Sequence, residues 1–147
     1  MNNLRVDAIV LNASGLTWQF GDAGLAAVQV PALAIFGDAD TTVGDPMLGA
    51  RGAYLGFSSP QKALVQFQNA DHAIFIDKCS AMPWMSEMGL DFLCSDPVWD
   101  MDRAHDLINH FTTAFLLDVL KGDVEAHAAL SPDAVSFPGI VYEAEGF

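Results

Sequence analysis

Positive charge is scarce in this sequence. Six Lys and Arg stand against 19 Asp and Glu, a formal net charge of −13. Nucleic-acid partners are excluded on that ground, because phosphate contacts need Lys and Arg. An anionic membrane surface is disfavoured for the same reason. A neutral substrate or a bound cation fits the balance, and so does a plain solubilising surface. Long apolar runs are missing as well. Stretches such as Ala32 to Phe36 fall far short of the roughly 20 residues that span a bilayer. The opening residues MNNLRVDAIVLNAS make no signal peptide, since Asp7 interrupts an apolar run that is already too short. As written, the chain is expected in the cytoplasm. Cysteine is limited to Cys79 and Cys94. They allow one disulfide, sequence leaves open whether it forms, and a cytoplasmic location would keep both thiols reduced. There is no internal repeat, low-complexity tract or Gly/Ser linker. The 147 residues, 52% of them hydrophobic, suit one domain spanning 1–147.

The elements that are present alternate in type. Val6 to Leu11 (VDAIVL) reads as a strand ending in the polar turn Asn12 to Gly15. A short amphipathic piece follows and stops near Val30 and Pro31. Ala32 to Phe36 (ALAIF) is continuously apolar between Pro31 and Gly37, as a strand buried on both faces of a parallel sheet would be. Pro46 to Gly56 reads as a helix weakened by its three glycines. Lys62 to Phe67 (KALVQF) reads as a third strand. The strongest helix is Asp102 to Lys121, with Leu107, Ile108, Phe111, Ala114, Phe115 and Val119 on one face. Asp100 and Asp102 suit the start of its dipole, and Lys121 with Gly122 suits its end. Asp123 to Leu130 predicts another short helix. The tail from Ser131, with Pro132 and Pro138, is expected to be irregular. This order predicts an α/β fold with about three parallel strands, crossover helices and a long C-terminal helix. Ser80 to Trp99 breaks the alternation. It holds Pro83, Trp84, Pro97, Trp99, Met82, Met85 and Met88, and reads as a long loop of the kind that forms lids and binding walls, or simply packs on the core.

Chemistry concentrates at two strand ends. VPALAIFGDAD (Val30 to Asp40) runs a buried strand into two aspartates, and KALVQFQNADH (Lys62 to His72) ends a second strand in a histidine. Ligands of parallel sheets sit beyond the carboxyl ends of strands. Neighbouring parallel strands would bring Asp40 and His72 to one edge, where an Asp–His hydrogen bond fixes the imidazole tautomer and stabilises the imidazolium of acyl transfer. His105 and His110 lie five residues apart and do not share a helix face; both are expected as surface or partly packed side chains, with Asp106 and His110 spaced to pair.

These segments resemble those of α/β-hydrolases. VPALAIFGDADTTV is similar to the acid-bearing strand and turn of that family, in which the acid is the Asp three residues after the Gly. The resemblance places the acid at Asp40 rather than Asp38. NADHAIFID resembles the segment carrying the catalytic histidine and places it at His72. WDMDRAHDLINHFTTAFLLDVLKGDVEAHAAL resembles the last helix of predicted dienelactone hydrolases and related secreted esterases. The resemblance runs from Val6 to about Tyr142, with Asp preceding His by about thirty residues. It implies a partial α/β-hydrolase domain, a small ester or lactone as substrate, no cofactor, and Asp40 and His72 as the acid/base pair.

The family's nucleophile sits upstream in a G-x-S-x-G elbow, and no such motif occurs in this chain. The resemblance therefore implies the C-terminal half of the fold, a truncated hydrolase. Val6 to Leu11 would then be an open sheet edge, and homo-oligomers are expected to cover it. Two side chains are candidate nucleophiles. Ser14 follows the first strand but lacks the strained elbow; a turn serine is the plainer reading. Cys79 lies seven residues after His72, and is equally read as a disulfide partner of Cys94 or a buried thiol. Asp38, Asp40 and Asp45, with His72, are candidate ligands of a divalent cation that could activate water, although neither a Ca²⁺-loop motif nor an H-x-x-x-H helix accompanies them. The alternative function is a catalytically inactive hydrolase module that oligomerises or binds a small apolar ligand.

Overall fold

A computed structural model describes residues 5–147. The start of the segment read for a signal peptide, residues 1–4, lies outside the described residues. Four strands form one mixed sheet in the order β1-β2-β3-β4: β1 (Ile9–Asn12), β2 (Ala32–Gly37), β3 (Lys62–Phe67) and β4 (Ile140–Glu145). The first three are parallel, with Ile9 opposite Ala32 and Ala32 opposite Lys62. β4 runs antiparallel to β3, Phe67 pairing with Ile140.

The apolar run of β2 is buried along its whole length, and alternation divides its side chains between two layers. Leu33 and Ile35 face α4 (Met101–Lys121), where they pack with Val65, Phe67, Phe111 and Phe115. Ala34 and Phe36 face α2 (Ala50–Gly56) through Ala50 and Tyr54. Between β1 and β2 the chain forms a 3-10 turn, Thr17–Phe20, and the short α1 (Gly21–Ala26), which lies beside α2. Pro46–Leu48 adds a 3-10 turn before α2, so the segment read as one helix is two pieces.

α4 starts one residue earlier than expected. Asp100 accepts the Arg103 N–H at 2.9 Å, and Gly122, at φ 67°, closes the other end in the left-handed conformation. α5 (Val124–Ala129) is capped by Asp123 in the same way. Among the described residues no helix is long and apolar enough to cross a membrane.

One expectation is corrected. The tail from Ser131 is not irregular throughout. Ile140, Tyr142 and Ala144 alternate onto the core, and the main chain of Ile140–Glu145 pairs with β3. The Tyr142 hydroxyl donates to the Leu130 carbonyl, and its pKa is raised chiefly by burial and further by the charge of Tyr54. Cys79 and Cys94, whose pairing the sequence leaves open, are bonded to each other. Their bond closes the base of the segment expected to be a long loop, which contains α3 (Pro83–Glu87) and a 3-10 turn, Asp91–Leu93.

Candidate active site

The carboxyl ends of β2 and β3 converge on one rim. Beyond β2 the Asp38 N–H donates to the Phe67 carbonyl, and the Ala39 N–H to the Ala70 carbonyl. These bonds tie the two strand exits together and fix where the following residues emerge.

Asp40 follows directly. Its Oδ1 accepts the backbone N–H groups of Thr42 and Val43, both at 2.9 Å. That Asx-type turn fixes the carboxylate and leaves Oδ2 pointing across the rim. His72 starts a 3-10 turn, His72–Phe75, for which Asp71 is the cap. Its Nδ1 lies 2.7 Å from Asp40 Oδ2. The Asp40 side chain is 4% exposed and that of His72 29%. The acid is therefore enclosed and the far side of the ring is reachable. Among the described residues Nε2 has no hydrogen-bond partner. With Nδ1–H donated to Asp40, Nε2 is the free basic nitrogen.

A second carboxylate braces the histidine. Asp71 accepts the N–H groups of Thr41 and His72, while its own N–H donates to Asp96 Oδ2 at 2.7 Å. Burial pushes the Asp71 carboxyl up, but the backbone hydrogen bonds of His72 and Thr41 outweigh it, and the group sits below the ordinary carboxylate range. Asp96 also accepts the Val98 and Trp99 N–H groups through Oδ1, so the loop before α4 is anchored to the turn that bears His72. Asp71 and Asp96 were not singled out in the sequence. The available signal was the Asp-His pair at a strand end, which reads equally as a cap.

The other sequence candidates lie elsewhere. Asp38 accepts from the Gln66 side-chain amide and the Asn69 N–H, and Asp45 caps the 3-10 turn at Met47. The three carboxylates thus serve three separate turns. Among the described residues no cluster of three or more His, Cys, Asp or Glu has a metal-holding arrangement. Ser14 Oγ is buried without a hydrogen-bond partner among the described residues. It shares with Asp40 a space of about 10 Å³, room for one water at most. Cys79 carries no free thiol, which removes it as a nucleophile. His105 bonds the Ile76 carbonyl at 3.0 Å, and His110 packs edge-on against Phe137 rather than pairing with Asp106. Trp99 is core, its indole N–H donating to the Gln68 carbonyl, whereas Trp84 is half exposed on the loop.

This arrangement can take a proton at Nε2 and stabilise the resulting imidazolium through a buried carboxylate. Neither a family model nor a curated protein matches the chain.

Proposed function

We propose that this chain is a hydrolase of carboxylic esters or lactones, of the dienelactone hydrolase-like α/β-hydrolase kind, in which His72 is the general base and Asp40 its orienting acid. The single observation behind this reading is the 2.7 Å contact between Asp40 Oδ2 and His72 Nδ1 at the carboxyl ends of neighbouring parallel strands. An enclosed acid and a reachable imidazole are the arrangement that general-base acyl transfer uses.

The attacking hydroxyl gives its proton to His72 Nε2 as its oxygen bonds the acyl carbon. The same proton then passes to the leaving alkoxide as the C–O bond breaks. Cys79 is oxidised, Ser14 is enclosed, and no G-x-S-x-G occurs in the chain. With these set aside, the proposed reading assigns the attacking oxygen to water or to a hydroxyl on another polypeptide. The edge of β1 supports the second source. Ile9, Val10 and Leu11 are half-buried and uncharged, and their outer side pairs with no strand among the described residues. A homo-oligomer built on this edge belongs to the same proposal, and the Cys79–Cys94 bond supports an oxidising compartment over the cytoplasm.

The test is hydrolysis of p-nitrophenyl butyrate and of a simple lactone by the purified chain beside His72→Ala, at several protein concentrations. Turnover absent from His72→Ala and rising more than linearly with protein supports the reading and its oligomeric site. Equal turnover in both proteins would overturn it. A second reading, a non-catalytic module that binds a small apolar ligand, is favoured by the absent elbow and predicts no turnover in either protein.

A further inference from the structure

A pocket of about 120 Å³ opens beside His72. Its walls include Thr41, Thr42, Ile76, Phe92 and Leu93, together with the His72 ring. Phe92 and Leu93 come from the turn Asp91–Leu93, immediately before Cys94. The disulfide brings this turn back to the chain leaving the histidine segment, and the Cys79 N–H donates to the Cys94 carbonyl at 3.1 Å. Asp96, two residues further on, is bonded to the Asp71 N–H. The flap is therefore held by three ties, the disulfide and two hydrogen bonds.

The surface that this flap presents is apolar. Within the pocket lining, Phe92 is 68% exposed and Leu93 36%. Large apolar side chains exposed next to a reachable imidazole form a binding wall with nothing of the chain's own upon it. The charged residue in the pocket lining is Asp71, Asp40 lies directly behind His72, and no Lys or Arg contributes to the lining. An anionic group placed there would face two carboxylates with no Lys or Arg to offset them.

We propose that the Cys79–Cys94 flap forms an acyl-side pocket at His72 that takes short, uncharged aliphatic chains and rejects carboxylate-bearing ones. The proposal rests on the ester-hydrolase reading for what occupies the pocket, but binding can be read without turnover. Methyl propyl ketone has the chain of a butyryl ester and cannot be hydrolysed; butyrate has the same chain with a charge. In methyl-labelled protein, methyl propyl ketone is expected to shift the Leu93 and Ile76 methyl signals and the His72 ring signals saturably, with butyrate at least about tenfold weaker. Phe92→Ser, at an exposed position outside the core, and reduction of the disulfide with dithiothreitol should each weaken ketone binding about fivefold or more. Met88→Ala, outside the lining, should leave it unchanged. Equal binding of ketone and butyrate, or ketone shifts that ignore both Phe92→Ser and reduction, would overturn the proposal. A chain that binds the ketone as described but hydrolyses no ester keeps the pocket and loses the catalytic reading. Hydrolysis that needs His72 but shows the same KM for butyryl esters in Phe92→Ser does the reverse.

Discussion

A Cβ atom on Gly37 would lie 2.3 Å from the carbonyl oxygen of Ala70. The exits of β2 and β3 thus meet at a distance that only glycine permits, three residues before Asp40 and two before His72. The same carbonyl accepts the Ala39 N–H, so it cannot move aside without breaking a tie between the strands. Gly37→Ala should cost about 1–3 kcal/mol, as overpacking of a tight site does, read by urea denaturation. On the proposed ester-hydrolase reading, the variant should also lose hydrolysis even where it remains folded, because the clash lies between the two strand exits. Full activity in Gly37→Ala would mean that the spacing of the exits does not set the Asp40–His72 contact.

Asp40 does two jobs with its two oxygens, and different substitutions separate them. In Asp40→Asn the amide oxygen can still accept the Thr42 and Val43 N–H groups, while the amide NH₂ facing His72 favours the wrong tautomer. Stability should stay within about 1 kcal/mol of the parent. Turnover should fall by on the order of 10⁴, as the loss of a triad carboxylate does elsewhere, in kcat more than in KM. Asp40→Ala should lose a further ~1–3 kcal/mol by stranding the two partly buried N–H groups. If Asn and Ala destabilise equally, the turn hydrogen bonds contribute nothing.

The disulfide spans 15 residues. Chain-entropy arguments give about 3 kcal/mol for a loop of that length. Reduction, or the double substitution Cys79→Ala with Cys94→Ala, should lower the urea midpoint by a corresponding amount, with a slope equal to or slightly above the parent's because the unfolded chain expands. An unmoved midpoint would show that the hydrogen bonds from the backbone N–H groups of Asp71 to Asp96 and of Cys79 to Cys94 hold the loop without the disulfide.

The Asp71 carboxyl sits below its ordinary value of 3.8. The sign follows from linkage: a group depressed in the folded state stabilises fully above its unfolded pKa, and that stabilisation is lost as pH falls through the folded one. Tm should therefore drop as pH is lowered from about 5 into the region below 3.8. Asp71→Asn should show a shallower drop. The same slope in both proteins would assign the acid sensitivity to other carboxylates.

Most of what places the site is legible in the sequence, and the reasons are local. ALAIF between Pro31 and Gly37 can only be satisfied by burial on both faces, and KALVQF behaves alike. Residues directly after such strands must reach the sheet rim, so Asp40 and His72 come together by topology alone. β4 was hidden by its surroundings. Pro138 and Gly139 read as breakers, yet IVYEAE after them alternates inward Ile140, Tyr142 and Ala144 with outward Val141, Glu143 and Glu145, a strand period in plain view. The pairing of Cys79 with Cys94 was not legible, since it depends on two distant turns meeting in space. Nor was the enclosure of Ser14, which depends on how closely the turn before α2 approaches; a Cβ on Gly49 would sit 2.4 Å from the Ser14 carbonyl oxygen.

The two margins of the sheet are unlike. β4 carries Glu143 and Glu145, paired with Arg51 of α2 and Lys62 of β3, and charges so placed discourage a further strand. β1 offers Ile9, Val10 and Leu11 with no such guard. Lateral growth of the kind proposed would thereby be vectorial, with β1 as its berth. If a newcomer enters in the same direction as its neighbours, its leading tip comes to rest on the rim that Asp40 and His72 already occupy.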